Sequence, residues 1–155
     1  MKSAARNAPK SRGSEAPGFT EEERAALAER ARELKARGRR PAGRDAGEKE
    51  VLARIGEMQG SDREIAERLH AIIRSNVPSL VPRTWYGMPA YEKDGKVLCF
   101  FQSAQKFKSR YPTLGFSDKA KLDEGDMWPT AFALRQISAV EEARILELLQ
   151  RALRE

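Results

Sequence analysis

Aromatic and cationic side chains occur together in the second half of the chain, in a pattern that suits an anionic or planar organic ligand. Aromatic rings attract cations and stack on planar groups, while lysine and arginine donate charge-assisted hydrogen bonds to anionic oxygens. We therefore predict a ligand-binding surface on one face of a sheet, flanked by Arg110. The predicted ligand-binding residues are Trp85, Tyr86, Met88, Lys106, Lys108, Tyr111 and Arg135. Alternation along a strand allows only about half of its residues onto either face, so other aromatic rings belong to the core.

The residue types that nucleophilic catalysis needs are scarce. His70 is the only histidine, and it lies within a predicted helix, away from that helix's apolar stripe. We expect a partly exposed surface histidine, because no triad partner is near it in sequence. Cys99, the only cysteine, lies in an apolar run, which predicts a buried and unreactive thiol. We therefore predict a protein that is not an enzyme and has no catalytic residue.

A group of acidic residues is the strongest metal candidate in the sequence. Carboxylate oxygens of this kind hold hard cations, but two lysines interrupt the group and no histidine accompanies it. A solvated loop is the favoured interpretation, and we predict neither a metal site nor a cofactor. The acidic residues are Asp118, Asp123, Glu124 and Asp126.

Charge and apolar content divide the chain into three parts. Residues 1–47 contain 12 basic and 7 acidic side chains, whereas residues 48–155 contain 17 and 16. The first part has too few apolar residues to close a core. We predict a disordered basic tail over 1–18, a charged helix and linker over 19–47, and a compact domain over 48–155. A solubilising role is the favoured interpretation of the basic tail, and weak nucleic-acid binding, through release of counterions from phosphates, is the alternative.

The sequence shows neither a membrane span nor a secretory signal. No apolar run approaches the roughly 20 residues that a transmembrane helix requires, and the first ten residues lack the apolar segment of a signal peptide. A single cysteine is compatible with a reducing compartment. We therefore expect a cytoplasmic protein that does not associate with a membrane.

Capping pairs and apolar periodicity predict four principal helices. Thr20 and Glu23 form a capping box for a helix over roughly 21–37, which we expect to dock loosely or not at all. A short helix follows from Glu48, and Ser61 and Ser138 begin the next and the last helix, each with a glutamate three residues later. The apolar stripes that we assign to the first two helices are Leu27, Ala31 and Leu34, and Val51, Leu52, Ile55 and Met58.

Aromatic-rich segments between these helices predict an antiparallel sheet. Asp94-Gly95 is a typical hairpin turn between the first two segments. Strands joined by hairpins with helices at both ends indicate an α+β fold, a two-layer sandwich whose antiparallel sheet has helices packed on one face. The predicted strands are Thr84–Tyr91, Val97–Gln102, Tyr111–Ser117 and Thr130–Ile137.

One segment resembles a known family. The run Trp85-Tyr86-Gly87-Met88-Pro89-Ala90-Tyr91, followed by Asp94-Gly95-Lys96 and later by Tyr111-Pro112, resembles the YdhG-like family, a domain of unknown function, over roughly residues 61–153. Gly87 permits close approach or unusual backbone geometry, and Pro89 lacks a ladder donor, so we expect an edge or irregular strand.

The resemblance implies a compact frataxin-like sandwich. The predicted helices before residue 61 lie outside the resemblance and form an N-terminal helical extension. One branch of the family is described as an intracellular iron chaperone. Many proteins of the family have a motif similar to Lys-x-His shortly before the Tyr-Pro pair. The corresponding segment of this chain, Lys106 to Pro112, contains no histidine. We therefore expect a noncatalytic module that binds a small anionic ligand or a partner protein. Iron chaperoning and nucleic-acid association through the tail are the alternatives, and an exposed aromatic face equally suits a homo-oligomer.

Overall fold

The computed structural model describes residues 18–39 and 43–154. Residues 1–17 of the tail predicted over 1–18 and the centre of the predicted linker, 40–42, lie outside the described residues. The mixture of helices and strands confirms the α+β class. The elements in order are α1 (Glu21–Arg39), α2 (Arg44–Glu57), α3 (Gly60–Asn76), β1 (Val81–Trp85), β2 (Met88–Lys93), β3 (Lys96–Gln102), α4 (Ala104–Phe107), β4 (Thr113–Phe116), β5 (Ala131–Ala133) and α5 (Ala139–Ala152).

The five strands form one antiparallel sheet, in which each strand pairs with its neighbour in sequence. Tyr91 pairs with Cys99, and Cys99 pairs with Phe116, so these three side chains lie on the same face. Leu114 pairs with Phe132 of the short strand β5 and continues that face. Strands that are neighbours in sequence often pair in this way. The Asp94-Gly95 turn joins β2 to β3 as predicted, whereas residues 117–130 connect β4 to β5.

The hydrophobic core lies between this face and three of the helices. Its members include Val51 of α2, Leu69 of α3 and Leu149 of α5, packed with Tyr91 and Phe101 from the sheet. The predicted burial of Cys99 is confirmed, and the residue is a free thiol. Helix α2 begins at Arg44, before the predicted start at Glu48, and Leu52 of its predicted stripe is half exposed.

The predicted single strand over Thr84–Tyr91 is wrong. The chain turns at Tyr86 and Gly87, whose φ angles are +53° and +74°, and this two-residue turn joins β1 to β2. Two successive residues with positive φ are what a tight type I′ hairpin requires. The unusual geometry expected at Gly87 is therefore confirmed. The expectation of an edge or irregular strand is also confirmed, because β2 has a register shift between Tyr91 and Glu92. Strand β1 forms the edge, and the pairing of β2 with β3 starts only at Ala90, after Pro89.

Local signals were correct at one turn and at two helix starts. The Glu23 backbone N–H donates a 3.1 Å hydrogen bond to the Thr20 hydroxyl at the start of α1, as predicted. Asp94 and Gly95 have φ angles of +52° and +78°, as a hairpin turn demands. The Glu141 carboxylate accepts a 3.0 Å hydrogen bond from the Ser138 backbone N–H at the start of α5, as predicted. The predicted cap at Ser61 is wrong, because α3 begins one residue earlier, after Gln59, which makes no side-chain capping bond.

Candidate functional site

The β1–β2 turn binds a carboxylate with its own backbone. The N–H groups of Tyr86 and Gly87 donate hydrogen bonds of 3.1 and 2.9 Å to the two carboxylate oxygens of Glu33, on α1. Positive φ angles at successive residues turn adjacent N–H groups toward one side, which forms an anion-binding concavity. Gly87 is essential to the close approach, because a Cβ atom there would overlap the Glu29 carboxylate and the Lys106 ammonium.

Helix α1 contacts this turn through a charged face. The predicted apolar stripe is wrong, since Leu27 and Leu34 are 41% and 53% exposed. Ala26 is buried instead, and Glu29 and Glu33 lie on the same side of the helix. The prediction that α1 docks loosely or not at all misses these polar contacts.

The two predicted lysines lie at the short helix α4 and pair with the same face of α1. Lys106 Nζ lies 2.7 Å from Glu29 Oε2, and it also donates a 3.4 Å hydrogen bond to the Gly87 carbonyl. Lys108 Nζ lies 2.6 Å from Glu22 Oε1. This hydrogen bond lowers the pKa of Glu22 and raises the pKa of Lys108. Both cations are therefore neutralised by carboxylates of α1.

The position of α4 is fixed by a buried carboxylate. Asp62 of α3 is 3% exposed and accepts hydrogen bonds from the Ser103 hydroxyl, at 2.6 Å, and from the Gln105 backbone N–H, at 2.9 Å. The Ser103 hydroxyl in turn accepts a 3.3 Å hydrogen bond from the Lys106 backbone N–H. Asp62 therefore holds the loop that presents the two lysines.

Aromatic rings adjoin the turn on the sheet face opposite the core. The Trp85 ring lies 5.1 Å from that of Phe100 and 4.8 Å from that of Tyr86, with edge-to-face geometry at Tyr86. The guanidinium of Arg30 on α1 lies 5.7 Å from the centre of the Tyr86 ring. Met88, which pairs with Trp85 across the turn, is buried on this same face.

The other two predicted ligand-binding residues, Tyr111 and Arg135, lie at a cavity that the turn residues do not line. Tyr111 and Arg135 line this open cavity of about 360 Å³, together with Arg110 and with Ser61 at the start of α3. The Arg110 guanidinium lies 5.4 Å from the centre of the Tyr111 ring. Over residues 18–39 and 43–154, neither Arg110 nor Arg135 forms an ion pair.

The structure thus divides the predicted ligand-binding residues between two surfaces. Around the β1–β2 turn it brings together Trp85, Tyr86, Met88, Lys106 and Lys108, whereas the cavity holds Tyr111 and Arg135. The prediction did not include the three carboxylates on α1. Their spacing was a usable signal, because residues seven and eleven positions after Glu22 return to the same helix face.

His70 is buried, and the prediction of a partly exposed histidine is wrong. The side chain is 7% exposed, with Nδ1 at 2.8 Å from the Tyr91 hydroxyl and Nε2 at 3.1 Å from Glu48 Oε1. Glu48 also pairs with Arg74. Because α2 as well as the sheet packs against α3, the buried arc of α3 is wider than one apolar stripe. Burial lowers the pKa of His70, and the Glu48 carboxylate opposes that shift.

The acidic loop residues do not form a recognisable metal centre in the described part of the chain. There, no group of three or more histidine, cysteine, aspartate or glutamate side chains is arranged to hold a metal ion. Glu124 lies 3.5 Å from the Arg151 guanidinium instead.

Comparison of the chain with models of protein families, with curated proteins and with solved structures found no match. Among the described helices, none is both long and apolar enough to cross a membrane.

Proposed function

We propose that this protein is a noncatalytic binding domain that holds a small anion between Arg110 and Arg135. The observation that carries the proposal is that Arg110 and Arg135 line one open cavity and that no described carboxylate pairs with either side chain. Guanidinium groups bind carboxylates and phosphates through paired, charge-assisted hydrogen bonds, and two of them at one cavity favour an anionic occupant.

Two neighbouring features support an anion in this cavity. Ser61 is the second residue of α3, a helix of 17 residues, and it lines the cavity. The start of a helix carries a partial positive charge and backbone N–H groups without intrahelical partners. The Tyr111 ring provides an adjacent apolar surface, on which a planar organic acid can stack.

We also propose that the chain is a YdhG-like domain with the frataxin-like sandwich that the family resemblance implies. The support is the run from Trp85 to Tyr91, which forms the β1–β2 turn, and the Tyr111-Pro112 pair, which lines the cavity. Under this proposal the resembling motifs coincide with both candidate surfaces.

Calorimetric titration of the full chain at low ionic strength tests the ligand proposal, with inorganic phosphate, pyrophosphate and citrate as probes. We expect saturable binding of at least one probe. Arg110→Gln and Arg135→Gln should each weaken it about tenfold or more, since a hydrogen bond to a charged group contributes about 1.5–3 kcal/mol.

Two control variants make the test specific. Arg32→Gln removes the same charge from an exposed position on α1, and Lys106→Gln removes a cation from the turn surface; both should bind the probe as the unaltered protein does. Absence of saturable heat with all three probes, or equal weakening by Arg32→Gln, would contradict the proposal.

A further inference from the structure

Helix α1 is attached to the domain in an unusual way. Most helices on a domain surface bury an apolar stripe, but none of the α1 side chains that the structure describes, those of residues 21–35, belongs to the hydrophobic core cluster. Its large apolar side chains Leu27 and Leu34 are exposed, and Ala26 is the buried apolar residue. The contacts that hold α1 are therefore mainly polar.

The surface beneath α1 is built to receive carboxylates. We call it the α1 seat, and it consists of the backbone N–H groups of Tyr86 and Gly87 and the ammonium groups of Lys106 and Lys108. Every one of these four donors contacts a carboxylate of α1. Glu33 accepts hydrogen bonds from the two N–H groups of the turn. Glu29 contacts Lys106, and Glu22 contacts Lys108. The arrangement is thus a three-point carboxylate receptor that the chain fills with its own helix.

The spacing of the three points matches a helix rather than a small molecule. Glu22, Glu29 and Glu33 are seven and four residues apart, which corresponds to roughly 10 Å and roughly 6 Å along a helix axis. A small anion could contact one of the points, whereas an acidic helix of three turns or more contacts all of them. Charge complementarity therefore indicates an acidic helix as the occupant.

The contacts of α1 with the seat are of a kind that a competitor can replace. The Lys108 side chain is 74% exposed, and ion pairs in such positions contribute little to stability because water and salt screen them. Displacing α1 removes none of its described side chains, those of residues 21–35, from the hydrophobic core cluster. A partner helix with carboxylates at the same spacing would replace each lost carboxylate contact of α1 with an equivalent contact of its own.

We propose that the α1 seat is a docking site for an acidic helix of a partner protein, with α1 as its intramolecular competitor. The partner helix carries carboxylates at positions i, i+7 and i+11. Glu33, when displaced, leaves the two turn N–H groups to the incoming carboxylate. This proposal is independent of the cavity between Arg110 and Arg135.

A synthetic peptide of residues 19–39 with a fluorescein label serves as the probe helix. Fluorescence anisotropy measures its binding to the full chain and to the triple variant Glu22→Gln, Glu29→Gln, Glu33→Gln. We expect the triple variant to bind the peptide about tenfold more tightly than the unaltered protein, because its own helix competes less for the seat. The control Glu23→Gln changes an exposed carboxylate of the same helix and should leave the affinity unchanged.

A seat variant tests where the peptide binds. Adding Lys106→Gln to the triple variant should weaken peptide binding about tenfold, because the Lys106 ammonium no longer pairs with a carboxylate. Circular dichroism should show the same helix content and melting profile for the triple and the quadruple variant. A quadruple variant that does not fold is replaced by Lys108→Gln in the same background, which alters an exposed side chain.

Four results of the peptide measurements would each overturn the proposal. They are equal peptide affinity for the unaltered and the triple-variant protein, no detectable binding to the triple variant, equal binding of a scrambled peptide of the same composition, and no effect of the lysine substitutions. A concentration-dependent dimer in light scattering that Lys106→Gln abolishes would also overturn it, because α1 of a second copy would then fill the seat.

Discussion

The Nδ1 atom of His70 lies 2.8 Å from the phenolic oxygen of Tyr91, joining α3 to the core face of β2. On the other side of the ring, Nε2 contacts Glu48 of α2 at 3.1 Å. One imidazole thus links two helices and the sheet. Burial of the ring lowers the pKa of His70 despite the Glu48 carboxylate, so the folded protein favours the neutral form.

The lowered pKa of His70 predicts a loss of stability in mild acid. Below the unfolded-state value of about 6.5, the unfolded chain binds a proton that the folded protein binds less readily, so the free energy of unfolding falls. The loss should develop as the pH falls from about 6.5 through the lower pKa of the folded state. Urea unfolding at a series of pH values between about 7.5 and about 5 measures it.

The His70→Gln variant is the control for this titration. Glutamine retains hydrogen-bonding groups but has no ionisable group in this range, so the variant's stability should vary less with pH. The pKa values of Glu22 and Glu141 are also lowered, but from 4.5, so these groups act at lower pH. A pH dependence that is identical in the two proteins would show that His70 does not cause it.

Two glycines of α2 should respond oppositely to alanine. A Cβ atom at Gly47 would overlap the carbonyl oxygen of Pro82 and the Arg83 side chain, whereas a Cβ atom at Gly56 meets nothing within 4 Å. Gly47→Ala must push α2 away from β1, and it should lower the free energy of unfolding by about 1–3 kcal/mol. Gly56→Ala should raise it by up to about 1 kcal/mol, because alanine favours a helix more than glycine does.

Urea unfolding of both variants alongside the unaltered protein measures these differences. A stabilising Gly47→Ala substitution would mean that α2 does not lie against β1 as closely as the structure has it.

Gly87→Ala should loosen α1, and Gly95→Ala is its matched control. Both glycines occupy hairpin turns with similar positive φ, +74° and +78°, so alanine should cost about 1–2 kcal/mol of stability at either position. Only at Gly87 would the Cβ atom also overlap the Glu29 carboxylate and the Lys106 ammonium. These are flexible side-chain ends, so the additional effect is a weakened contact with α1 rather than a loss of the fold.

Hydrogen exchange across α1 distinguishes the two variants. The amides of α1 should exchange faster in Gly87→Ala than in the unaltered protein, and at an unchanged rate in Gly95→Ala. Faster exchange of α1 in both variants would attribute the effect to general destabilisation instead of the contact at Gly87.

Local sequence signals predicted those features that depend on neighbouring residues alone. Asp94-Gly95 forms the expected turn because both residues adopt positive φ at low cost. Ser138 and Glu141 form the expected contact because a helix start brings positions three residues apart together. The Tyr86-Gly87 turn was harder to recognise, because tyrosine is not a typical residue for a left-handed conformation.

The sequence by itself determined the α+β class, the hairpin at Asp94-Gly95 and the burial of Cys99, because apolar periodicity and turn chemistry are short-range properties. Only the tertiary structure decided that the α1 glutamates face the β1–β2 turn and that His70 is buried. Each result depends on which distant part of the chain packs against the helix that carries these residues. The division of the predicted ligand residues has the same cause. Chain folding places Lys106 beside Glu29 and leaves Arg135 at a separate cavity, and no spacing in the sequence encodes those distances.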